Sequence, residues 1–221
     1  MRIPAVTATD NKVFPSAPAE ARKGKMAAPL AKGIFLSLLW LVISLPAFAM
    51  SVLPLTLDEI IADARIAFQG TCVANRTGRD PQTGLVVTYT TFDVQDVLKG
   101  SAEAVHTIKQ VGGRVGDENY RIEGVPAFAV GQDYIVFLYG VSSDGFSSPV
   151  GLSQGQFFIR AGSSGQEISN GRDFREMLPK HTAQGLSQAT LGKIQQASGE
   201  VKYLGIDEFK QIVRWPGRAA K

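Results

Sequence analysis

VTYTTFDVQDVLKG, residues Val87 to Gly100, alternates cleanly and then breaks step. With Val86 added, Val86, Thr88, Thr90, Phe92 and Val94 fall on one face, and Val87, Tyr89, Thr91, Asp93 and Gln95 on the other. β-Branched and aromatic residues in a period of two are strand chemistry. At Asp96 the alternation slips, and Val97 and Leu98 become adjacent apolar residues. The stretch predicts a strand beginning at residue 85 and bent near residue 96 by a bulge, as the corner of a small barrel requires. Lys99-Gly100 closes it.

The flanking sequence extends that reading. Thr56-Leu57-Asp58-Glu59 has the spacing of a capping box and predicts a short helix to about Ala64. Ile66, Phe68, Gly70, Cys72 and Ala74 then share one face of a first strand ending near Asn75, ahead of a breaker-rich turn from Thr77 to Gly84. Val105 to Val111 is the expected partner of the opening strand. Gly112 to about Phe128 reads as one long irregular stretch. Tyr134 to Tyr139 is apolar on both faces, which predicts a central strand. Val150–Leu152 and Gln156–Arg160 read as one interrupted strand, with a hairpin turn at Gly162–Gly165 and a short edge at Glu167–Ser169. Residues 179 to 200 are rich in Gln, Ser, Ala and Gly and read as a linker or extended arm. Ile206 to Arg214 predicts an amphipathic helix, with Ile206, Phe209, Ile212 and Val213 on one face. Asp207 and Glu208 open it and Lys210 and Arg214 close it, in the order the helix dipole favours. The expected fold is therefore mainly β. It is a small antiparallel OB-like β-barrel with a short N-terminal helix and a C-terminal amphipathic helix.

The first 49 residues form a different kind of segment. Ile34 to Leu45 is an apolar run preceded by Arg22, Lys23, Lys25 and Lys32, and followed by Pro46-Ala47-Phe48-Ala49. That layout predicts a signal peptide at 1–49 cleaved between Ala49 and Met50, with Met1 and Met26 both compatible as starts. It is shorter than the roughly 20 apolar residues a span needs. The remaining chain divides into a β-barrel domain, 50–174, and a linker with the C-terminal helix, 175–221. The leader holds six of the 23 Lys/Arg and two of the 20 Asp/Glu, which leaves 17 basic and 18 acidic residues, a net of −1. The basic pI thus belongs to the leader, and nucleic-acid binding is not expected. The protein is expected to be exported, periplasmic or extracellular, touching a membrane only through the signal peptide before cleavage. Its one cysteine, Cys72, allows no intrachain disulfide and is expected in the core.

Chemistry-bearing motifs are sparse. Gly151-Leu152-Ser153-Gln154-Gly155 matches the G-x-S-x-G elbow, and the order Ser153, Asp173, His181 is formally that of a hydrolase triad. The elbow needs a helix after the serine, whereas Gln156-Phe157-Phe158-Ile159 is a strand pattern. An extracytoplasmic serine hydrolase using Ser153 is therefore the alternative reading. His106 and His181 have no metal-binding spacing, Asp93 and Asp96 lack a pocket, and Asp117-Glu118 offers too few carboxylates for calcium. No catalytic residue, metal or cofactor is expected. The 112–128 segment exceeds the usual loop length and gathers Arg114, Tyr120, Arg121 and Phe128, residue types favoured at contacts. The segment reads either as a loop that simply crosses one barrel end or as an interaction loop. The leading expectation for the protein is a non-catalytic module that binds a protein or envelope component.

Leu57–Gln69, Tyr89–Gly100, Val111–Gly113, Val130–Leu138 and Val150–Phe158, with their V-L-K-G and Gly131-Gln132-Asp133 signatures, resemble a family of exported bacterial β-barrel proteins of uncharacterised function. The strand ending in L-K-G is also similar to the OB-like barrel of tissue inhibitors of metalloproteinases and netrin-like modules. Those inhibitors use an N-terminal cysteine to reach a protease zinc, and here Met50-Ser51 would begin the mature chain, without the disulfides.

Overall fold

Two fourteen-residue strands, β1 (Ile66–Arg79) and β2 (Val86–Lys99), form an antiparallel ribbon on which the rest is built. The computed structural model describes residues 53–179 and 186–215. The leader, the cleavage pair Ala49 and Met50, and residues 180–185 near the start of the expected linker, His181 among them, lie outside those residues.

The break in alternation near Asp96 is real, and it is double. Ala67 faces Lys99 while Phe68 faces Val97, so Leu98 is an extra residue; Gln69 faces Asp96 while Gly70 faces Val94, so Gln95 is another. A third bulge puts Val73 in excess on β1. Each bulge resets which side chains share a face. Phe92 and Val94 lie on one side of the sheet, whereas Gln95, Asp96 and Leu98 lie on the other, with Val97 left half-exposed. A regular strand would have put Phe92 and Leu98 in the same core.

The strands β3 (Val105–Val111), β6 (Asp133–Leu138), β7 (Gln156–Gly162), β8 (Gly165–Ser169) and β9 (Leu204–Gly205) complete a seven-stranded antiparallel sheet in the order β3-β2-β1-β6-β7-β8-β9. Its ends, β3 and β9, do not pair with each other, so the expected barrel does not close. The chain after β6 does reach toward β3: Tyr139 N donates to Ser148 O and Ser147 N to Lys109 O, both at 3.0 Å. Closure would need a ladder, and the irregular 139–149 segment ends in Pro149, which has no N–H to give.

The sheet is covered differently on its two faces. On one, α1 (Leu57–Asp63) and α4 (Ile206–Arg214) bury Leu57, Ile60, Phe209 and Ile212 against Ile135, Phe137, Phe157 and Ile159. On the other, Phe68, Cys72, Phe92, Ile108, Phe128, Tyr134, Val136 and Leu138 form a second cluster. β6 supplies both, which is why its sequence is apolar throughout. The capping box forms: Thr56 N donates to Glu59 Oε2 at 2.7 Å and Glu59 N to Thr56 Oγ1 at 3.3 Å. Lys99 at the end of β2 donates to Ala62 O, tying the other end of α1 to the ribbon.

Several boundaries differ from the sequence reading. β1 continues past Asn75 to Arg79, and the turn is confined to Asp80–Leu85, where Asp80 accepts from Thr83 N at 3.0 Å. The 112–128 stretch opens with a small hairpin, β4 (Gly113–Val115) and β5 (Glu118–Tyr120), before its irregular part. Residues 150–152 are not strand, because Gly151 and Leu152 both take left-handed backbone angles, φ 60° and 62°, and lead into a 3₁₀ turn at Leu152–Gly155. β8 is not the edge, since β9 lies outside it. A short helix, α2 (Phe174–Met177), follows β8. The expected arm contains a helix, α3 (Gln188–Gln196), capped by Ser187 and docked through Leu186, Thr190 and Ile194. Its apolar stripe is only one residue per turn, too narrow to stand out in a polar sequence. Among the described residues no helix is long and apolar enough to cross a membrane.

Candidate binding cleft beneath the 119–128 loop

Inside the curl of the β1–β2–β3 ribbon, apolar side chains give way to a polar layer. Thr88 and Thr90 follow Phe92 on the inward face of β2, and Gln110 follows Ile108 on β3; Thr90 pairs with Ile108 and Thr88 with Gln110. Asn75 of β1 joins them, accepting from Thr90 Oγ1 at 2.7 Å. The segment 119–128 passes over this layer, and between the two lies a cleft of about 360 Å³.

The loop is held by the sheet it covers. Asn75 Nδ2 donates to Phe128 O at 2.6 Å, Gln156 Nε2 donates to Ala127 O at 2.8 Å, and Ala129 N donates to Tyr134 Oη at 2.9 Å. Phe128 itself is 5 % exposed, its ring edge-on to Phe92 at 5.0 Å and to Tyr134 at 5.1 Å. The corner feeding the loop requires glycine. Gly112 and Gly113 have φ of 105° and 133°, and a Cβ on Gly113 would stand 2.6 Å from Thr88 Oγ1. Thr88 Oγ1 donates to Gly112 O at 2.7 Å and Thr77 Oγ1 to Arg114 O at 2.6 Å, stitching the corner to the ribbon.

Of the four loop residues nominated by sequence, Tyr120, Arg121 and Phe128 line this cleft, the first two exposed and the third as its buried anchor. Arg114 does not line it; its Nε donates to Gly116 O at 3.3 Å within the β4–β5 turn. Sequence reasoning missed Asn75, Thr88, Thr90 and Gln110. The signal was present in the alternation, which places polar residues on faces otherwise carrying Phe92 and Ile108. Gln110 is 3 % exposed, and its Nε2 has no hydrogen-bond partner among the described residues.

The remaining candidates are placed elsewhere. Ser153 is exposed in the 3₁₀ turn ahead of β7, so the strand–turn–helix of a nucleophile elbow is not formed there. Asp173 is engaged by Arg175 and by Val201 N, and this pairing holds its carboxyl at about 2. Asp96 meets Lys210 Nζ at 3.0 Å and Arg214, both on α4, while Glu118 pairs with Arg79. Burial lowers the pKa of His106, which lies edge-on to Phe68, and raises that of the Cys72 thiol. Behind β3, Lys109 Nζ reaches Asp80 at 2.7 Å with both side chains largely buried, and mainly this contact brings Asp80 down to about 2. Among the described residues no group of three or more His, Cys, Asp or Glu could hold a metal. No protein-family model, curated protein or solved structure matches this chain.

Proposed function

We propose that the protein is an exported, non-catalytic binding module that engages a protein or envelope component at the cleft beneath residues 119–128. The observation that carries this reading is a loop bearing exposed Tyr120 and Arg121 over a polar-lined cleft, while its far end is fastened to β1, β6 and β7. Loops fixed on a rigid sheet keep their geometry on binding and lose little conformational freedom, which favours recognition. Export rests on the leader, and kinship with the exported bacterial family rests on the sequence resemblance.

A pull-down with the full chain from its own envelope extract tests the proposal. Tyr120→Ala combined with Arg121→Ala should reduce affinity for the captured partner at least tenfold, about 1.4 kcal/mol. Both side chains lie outside the core, so stability should stay within about 0.5 kcal/mol. Undiminished capture would move the interface away from this loop.

A further inference from the structure

One group lining the cleft is left without a partner among the described residues. Thr88, Thr90 and Asn75 each donate to an acceptor of the chain, but Gln110 Nε2 does not. A donor so deeply buried is costly to leave unmet, and a ligand oxygen that reached it from the cleft would satisfy it. The wall also carries a sign. Arg121 is the one charged side chain among the described residues that line the cleft, and none of those lining residues is acidic. Beside the polar layer the wall carries an apolar patch, with Val125, Pro126 and Phe128. The volume lies near the lower end of ligand pockets, which suits a small molecule or a chain end rather than a folded surface.

Resting on the reading that this cleft is the binding site, we propose that its ligand is a carboxylate on a small apolar body. One carboxylate oxygen accepts from Gln110 Nε2, Arg121 attracts the negative charge, and the apolar body covers Val125, Pro126 and Phe128. A carboxylate of this kind comes either from a free organic acid or from the C-terminus of a peptide ending in an apolar residue.

Calorimetric titration of the full chain separates these sources. The probes are phenylacetate, N-acetyl-Ala-Leu with a free C-terminus, and the same dipeptide as its C-terminal amide. The expected result is saturable binding of at least one acid and at least tenfold weaker binding of the amide than of the free dipeptide if the peptide binds. Phenylacetate alone binding identifies the free-acid source, and the dipeptide alone the chain-end source. Gln110→Met, which keeps the shape and removes the donor, should weaken the bound acid about tenfold or more without lowering the melting temperature. Arg121→Gln, at the exposed rim, should weaken it and flatten its salt dependence, and this variant serves if Gln110→Met does not fold. No saturable binding of either acid at millimolar concentration overturns the proposal, as does binding unaffected by both variants. If the acids fail while the Tyr120/Arg121 double variant still loses its captured partner, the ligand class is wrong and the binding surface stands. If Gln110-dependent acid binding is found while capture is unaffected, the cleft is a ligand site separate from the partner surface.

Discussion

Phe209→Ala is the sharpest test of how the C-terminal helix is held. Phe209 is fully buried, with ring centres of Phe157 at 4.8 Å, Phe137 at 6.1 Å and Phe174 at 6.2 Å. Burying a phenylalanine side chain contributes about 1.5–3 kcal/mol, and truncation adds the cost of the cavity left behind, for about 3–5 kcal/mol in total. The site belongs in the middle of that range or above, about 4 kcal/mol, because Phe137 and Phe157 stand on paired strands that cannot collapse inward. The competing attachment is the contact of Asp96 with Lys210 and Arg214. These side chains are 19–48 % exposed, and such pairs contribute about 0.2–1 kcal/mol each. Apolar burial therefore dominates, and Asp96→Ala should cost far less than Phe209→Ala. Urea unfolding should show a lower midpoint with an unchanged slope. The melting temperature should fall by roughly 8–16 °C, at about 2–4 °C per kcal/mol for a chain of this size. Val97→Ala, at a half-exposed position on β2, is the control and should stay within about 0.5 kcal/mol. A loss below about 1 kcal/mol for Phe209→Ala would refute the docking of α4.

Acid should weaken the fold through Asp80. Its folded pKa of about 2 lies below the ordinary carboxylate value, so its contribution is complete above about pH 4 and is lost as pH falls through about 2. Stability measured from pH 6 to pH 2 should fall less steeply in Asp80→Asn, and equal slopes would show that the pair with Lys109 is not a source of the acid sensitivity. Cys72 is fully buried on β1 with its thiol pKa raised by burial, so a thiol reagent should react only on unfolding. Rapid labelling of the native protein would place it outside the core.

Local pattern sufficed wherever one element decided its own conformation. Thr56 and Glu59 are three residues apart, and the reciprocal cap follows from that spacing. Ile206, Phe209, Ile212 and Val213 mark the buried face of α4 because a helix that must dock needs such a stripe. The slip at Asp96 marked a bulge because a strand has no other way to change the face of its side chains. The apolar run of β6 announced a strand covered on both sides. Whether the sheet closes was not legible, since that depends on what the 139–149 segment meets at β3, a contact between residues about forty apart in sequence. The helix α3 was hidden because Leu186, Thr190 and Ile194 gain their partners only in the assembled core, Thr190 from Glu208 on α4. The cleft shows the same division. Tyr120 and Arg121 could be nominated from residue type and loop length. Gln110, Thr88, Thr90 and Asn75 looked like ordinary strand positions, and it is tertiary structure that brings three strands and a returning loop together around them. Periodicity records which face a residue takes, because that is settled by its neighbours in the chain. Which groups meet across that face, and which donor is left without an acceptor, is settled by the pairing of strands far apart in sequence.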